Sequence, residues 1–196
     1  MAEVELPNPK ELREHAEDAF GRRVALVTAV YAVMLAIAAL GGNHAMKEML
    51  LAQQKSSDQW AFYQAKVIRE HQYRGQKMLL ETQLAEPSTV KGAEREKLAA
   101  LAAKFAEEEK RYGAEKKDIE KDAKKLELVR NRHRDRHPYF EFGEVFLQVA
   151  IVAASVSILS TSRPMFRFSL ILALLGTVLA VNGFVPLFTL PFLHHH

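Results

Sequence analysis

The sequence predicts an all-α membrane protein: three transmembrane helices with a long antiparallel coiled-coil hairpin between the first and the second. Three blocks with little or no charge, 24–42, 142–162 and 168–193, each approach or exceed the ~20 residues that a helix needs to cross a hydrocarbon core of about 30 Å. Between the first two blocks, 91–136 is dominated by Lys, Arg and Glu, yet it keeps one apolar or aromatic position in seven. Pro87 divides the intervening stretch into two helices, because proline removes a backbone donor and clashes with the preceding turn.

Composition narrows the function classes. The near-neutral mean hydropathy averages two extremes and does not describe a soluble core. With no cysteine among 196 residues, disulfides, thiolate metal sites and thiol nucleophiles are excluded. A net charge of +3, with both signs interspersed through the hairpin, offers no single-signed surface for nucleic acid. There is no phosphate loop, no nucleophile elbow and no zinc-protease histidine pair, so the reading is non-enzymatic, with no cofactor and no metal.

The elements follow in order. The tail 1–21 carries Pro7 and Pro9 and then a charged segment with Leu12, Ala16 and Phe20 on one face, which suits a helix lying on the membrane surface. A cleavable signal is not expected, since the apolar block is of spanning length and starts only after 23 residues of mixed charge. The first transmembrane helix is placed at 22–43, anchored by Arg22 and Arg23. Within it Ala25, Ala29, Ala32, Ala36 and Ala39 recur every three or four residues, a small-residue stripe that lets another helix approach closely.

The hairpin is placed at 44–138, with its turn near 86–89 and Ser88 or Thr89 as the cap of the second helix. On the first hairpin helix, Met46, Met49, Leu50, Trp60, Val67 and Ile68 form one stripe. Leu51, Phe62, Tyr73 and Leu80 form a line nearly opposite, and two apolar lines call for two partners. On the second, Leu98, Phe105, Tyr112, Ile119, Leu126, His133 and Phe140 recur at intervals of seven, the period of a left-handed coiled coil. The companion positions Leu101, Glu108, Glu115, Asp122 and Val129 are uneven and weaken that seam.

The second and third transmembrane helices are placed at 139–162 and 163–193, joined by a short link with Arg163, Pro164 and Arg167; Pro186 and Pro191 break the last helix near its end. Residues 194–196 read as the remnant of a purification tag. Arg22, Arg23, Arg163 and Arg167 flank one side of the membrane and Arg130, Arg132, Arg134 and Arg136 the other. Because long connections are largely exempt from the positive-inside rule, the balance favours a cytoplasmic N-terminus and a periplasmic hairpin.

Four polar residues fall in or beside the apolar blocks. Glu144 and Gln148 share a face at the start of the second, His44 lies near the same membrane surface, where it can reach Glu144, and Asn182 can hydrogen-bond across helices from the third. Glu144 also lies shallow enough to snorkel. His133 and His137 are four apart, but an arginine-flanked anchor explains them better than a metal pair.

The residues RVALVTAVYAVMLAIAA, and then NHAMKEMLLAQQKSSDQWAFYQAK, are similar to bacterial membrane proteins of domain-of-unknown-function family 4337. The most specific part is Ser57, Asp58, Gln59 and Trp60, followed by Tyr63, Gln64, Ala65 and Lys66. The resemblance implies a three-span protein of the bacterial inner membrane and supplies no catalytic residues. Physically, Asp58, Trp60, Tyr63, Gln64 and Lys66 make either a packed polar layer that fixes register or a partner site. The expected function is a homo-oligomeric membrane scaffold with a projecting helical bundle, for which an enclosed pore is one form. Its partners are the lipid bilayer and copies of itself. The alternative is a membrane-protein insertase, which the layout of three spans and a hairpin resembles if the hairpin is cytoplasmic.

Overall fold

The computed structural model of the protein describes residues 9–86 and 91–190, with side chains from residue 18 onward. It consists of three helices: α1 (Pro9–Ala85), α2 (Ala93–Leu159) and α3 (Arg163–Phe184). α1 and α2 are 77 and 67 residues long. Each of the three contains a window long and apolar enough to cross a membrane. Residue contacts divide the described chain into two compact units, one made of the segments up to Glu48 and from Arg132, the other of Met49–Asn131.

Helix continuity exceeds what the sequence suggests. α1 begins at Pro9, where a missing N–H costs nothing, and runs through residues 21 and 22 without a break, so the charged tail is continuous with the apolar stretch. Pro138 does not end α2 but lies inside it. The turn expected near 86–89, with Ser88 and Thr89, falls mostly outside the described residues, as does the tag remnant.

In the first unit, Val24, Tyr31, Ala38 and Ala45 recur every seven residues on the inner face of α1. This face, and not the alanine stripe, is the one that packs within the chain. Ala25, Ala29, Ala32 and Ala36 point outward, and Ala39 is half-buried. Val24, Tyr31 and Ala38, each one position before an alanine of that stripe, fill the interior, packed with Leu147, Ala150 and Ala154 of α2 and Ala173 and Ala180 of α3.

α2 and α3 approach closely at two glycines. A Cβ on Gly176 would stand 2.8 Å from the Gly143 carbonyl oxygen, and one on Gly143 would stand 3.0 Å from the Gly176 carbonyl oxygen. Such an approach trades side-chain volume for backbone contact, the usual means by which apolar helices associate. The connection is only three residues long. Thr161 takes a left-handed φ of 47°, Thr161 N–H bonds to Ile158 O and Ser162 N–H to Ser157 O at 3.1 Å, which together close a Schellman motif. Arg163 and Arg167 therefore belong to the first turns of α3 and not to the link.

In the second unit, α1 and α2 run antiparallel. The inner face of α1 is Ala52, Ser56, Tyr63, Lys66, Glu70, Tyr73 and Lys77, which lies between the two apolar lines expected from the helical wheel. On α2 the heptad from Leu98 to Leu126 does face inward. Its companions, however, are Ala102, Glu109, Lys116, Ala123 and Arg130, one residue later than expected, while Leu101 and Val129 are exposed. The physical reason is charge pairing. Only this register sets Glu109 against Lys77 and Arg74, and Lys116 against Glu70.

Candidate functional site

The polar layer expected around Trp60 exists in part. Trp60 is half-buried, its indole N–H donates to Glu127 Oε1 at 2.9 Å, and its ring meets Tyr63 edge-on at 5.4 Å. Lys66 pairs with Glu115 Oε2 at 2.6 Å and lies 5.0 Å from the Tyr112 ring centre. Asp58 and Gln64 do not join them. Both are exposed, and Asp58 accepts only a hydrogen bond from Gln54 one turn earlier on the same helix.

Two turns beyond Lys66, Tyr73 belongs to the interior and not to an opposite line. It stacks on Tyr112, with ring planes 11° apart and centres 5.6 Å apart, and leans on Phe105. Leu51 and Phe62 do stay outside. The Tyr112 hydroxyl accepts hydrogen bonds from Arg69 at 3.3 Å and Arg111 at 3.1 Å, and these donors hold its phenol below the ordinary value of 10.0. Sequence reasoning missed this cluster. Its signal was available, since Tyr112 is a heptad residue flanked by cations, but only the fold brings Arg69 and Lys66 onto the ring from 40 or more residues away.

Next to it is a second network. Glu70, buried, pairs with Lys116 and with Arg74 at 3.3 Å. Glu109 binds Lys77 at 2.8 Å and Arg74 at 2.7 Å, and these two cations, Lys77 first, hold its carboxyl below the ordinary 4.5. Solvent screens the pairs of Glu109 with Lys77 and Arg74, so their main effect is to set register.

In the first unit the four intramembrane polar candidates separate. His44 does not reach Glu144; its ring meets His133 edge-on at 6.4 Å. These two histidines rim a cavity of about 410 Å³ lined by Leu40, Phe140 and Phe184. Burial holds the His133 imidazole below its ordinary 6.5, with nearby Glu48 acting in the opposite direction. Glu144 is half-buried beside Gly42, where a Cβ would stand 3.1 Å from its carboxylate, and it has no hydrogen bond or ion pair among the described residues. Gln148 is exposed. His137 faces Glu141 at 3.6 Å and not His133, so the four-apart histidines do not converge.

Asn182 also departs from expectation. Instead of bonding across helices, it ties down the segment that follows its own: its Nδ2 donates to Phe188 O at 2.9 Å, and its Oδ1 accepts from Leu187 N–H at 2.8 Å and Phe188 N–H at 3.0 Å. Tyr139 of α2 completes the clamp by accepting from Leu190 N–H at 2.8 Å. Pro186 explains the difference. By ending the helix it folds the chain back onto the Asn182 amide.

These features define an all-helical protein with three helices apolar and long enough to be membrane-spanning, two of them extended by a charged, register-locked helix pair. The chain belongs to the family described as Domain of unknown function (DUF4337), whose model matches residues 20–186. No curated protein and no solved structure matches it.

Proposed function

We propose that the protein is a non-enzymatic, homo-oligomeric scaffold of the bacterial inner membrane, with its three apolar helical stretches in lipid and the charged helix pair in water. The observation that carries this reading is apolar surface where lipid does not reach. In the charged unit Phe62 is 50 % exposed, Ile68 67 % and Leu79 67 %, with Leu51, Met78 and Leu128 also exposed. Repeated exposure of large apolar side chains along a water-facing helix pair suits an interaction surface. A second copy of the same helix pair supplies a matching surface at both lines, and the outward alanines at 25, 29, 32 and 36 supply a close-packing face within the membrane. Light scattering of the detergent-solubilised protein tests the reading. A multimer is expected, and a monomer at micromolar concentration overturns it.

A second reading, a membrane-protein insertase with a cytoplasmic hairpin, is favoured by one observation: Glu144, half-buried in the apolar stretch of α2 with no partner among the described residues. Ionisable groups so placed mark translocation paths. Likeness of layout is weak support for function. Reporter fusions at Glu86 decide, because a periplasmic reporter removes this reading.

A further inference from the structure

The charges of the helix pair are mostly matched, Glu to Lys and Glu to Arg, but in one cavity of the first unit the charged residues of the lining are all arginines. Arg23 of α1 and Arg163 and Arg167 of α3 line a cleft of about 570 Å³, together with Phe20, Phe166 and Leu170. None of the three guanidinium groups has a hydrogen bond or ion pair among the described residues. Phe20 and Phe166 meet edge-on at 5.8 Å and join the two helices at this point.

Three guanidinium groups around one cleft, with no partner among the described residues, repel each other unless an anion lies between them. Each presents a planar fork of donors that matches two oxygens of a phosphate. The cleft volume is within the range of small-ligand sites, about 300–1,000 Å³. α3 starts here, and its cap Ser162 makes no side-chain hydrogen bond, so the positive end of the helix dipole adds to the same field. The apolar part of the lining, Phe20, Phe166 and Leu170, suits a ligand that is anionic at one end and apolar at the other.

We propose that this cleft is a binding site for a phosphate-bearing anion, held by Arg23, Arg163 and Arg167. The phosphate chemistry stands on the arginines alone, whereas a lipid as its source rests on the membrane reading above. A phosphodiester of an anionic lipid headgroup and free phosphate share this chemistry, and the experiment separates them.

Native mass spectrometry of the full chain in detergent, with phosphatidylglycerol, phosphatidylcholine or inorganic phosphate added, reads the site. Phosphatidylglycerol adducts are expected to exceed phosphatidylcholine adducts, and the triple variant R23Q/R163Q/R167Q is expected to reduce them by tenfold or more. R132Q/R134Q, with cations outside the cleft, serves as the control and should leave them unchanged. The single variant R167K keeps the charge and the fold but loses the fork, and a loss of several-fold is expected. Arginine-dependent binding of inorganic phosphate with no added gain from the lipid makes the source a soluble phosphate and sustains the site. Equal adducts in the wild type and in both cleft variants overturn it, as does equal binding of the two lipids without any phosphate binding. Carbonate extraction of membranes reads the membrane reading independently. Release of the protein there refutes that reading and leaves the phosphate arm to judge the cleft.

Discussion

The carboxylate of Glu70, on a residue only 6 % exposed, sits against the Lys116 ammonium of the facing helix, so the interior of the helix pair holds a charge pair within its apolar and aromatic seam. Burying a pair costs desolvation that the attraction offsets only when both partners are present. Glu70→Ala is therefore predicted to lower unfolding stability by about 1–3 kcal/mol, less than a fully buried pair because Lys116 is partly solvated. Glu70→Leu combined with Lys116→Leu should recover most of that loss. Chemical denaturation followed by circular dichroism measures both, and a double variant as weak as the single one would show that the pair is needed for more than charge balance.

Asn182 is fully buried and makes three hydrogen bonds to the chain at Leu187 and Phe188. Asn182→Ala leaves those backbone groups unsatisfied, at a predicted cost of about 1–3 kcal/mol. The loss should be local. Limited proteolysis is expected to cut 185–190 faster in the variant, while α1 and α2 keep their helical signal.

The Gly176 backbone touches Gly143 so closely that a methyl group has no room. Gly176→Ala is predicted to force α2 and α3 apart and to destabilise by about 1–3 kcal/mol. Gly75, with nothing within 4 Å of its missing Cβ, is the matched comparison. There alanine should stabilise by about 0.5–1 kcal/mol, because it costs less backbone entropy in a helix. Melting temperatures of the two variants that shift in the same direction would contradict the packing described.

Acid should loosen the helix pair. Lys77 and Arg74 lower the folded pKa of Glu109 below 4.5, and Lys66 does the same for Glu115. A carboxylate whose folded pKa is depressed adds stability that is complete above the unfolded value and is lost as the pH falls through the folded one. Stability is therefore predicted to be flat from neutral pH down to about 5 and to decline below 4.5. Glu109→Gln should start lower at pH 7 and decline less, and an unchanged slope in that variant would remove Glu109 from the account.

Sequence alone determined the element types. Apolar blocks of spanning length and the Leu98 to Leu126 heptad are legible because hydrophobicity and helical period are local properties of the chain. Which face of each helix turns inward was decided by the tertiary structure. Ala25 to Ala36 and Val24 to Ala45 are stripes one residue apart on the same helix, and nothing local distinguishes the packed stripe from the free one. The register of the helix pair was likewise invisible, since Glu108 and Glu109 are adjacent and chemically equal. Only the positions of Arg74 and Lys77 on the opposite helix select Glu109. The three-arginine cleft depends on the same kind of information. Arg23 and Arg167 are 144 residues apart in the chain, and it is the packing of α1 against α3 through Phe20 and Phe166 that sets their charges around one cavity.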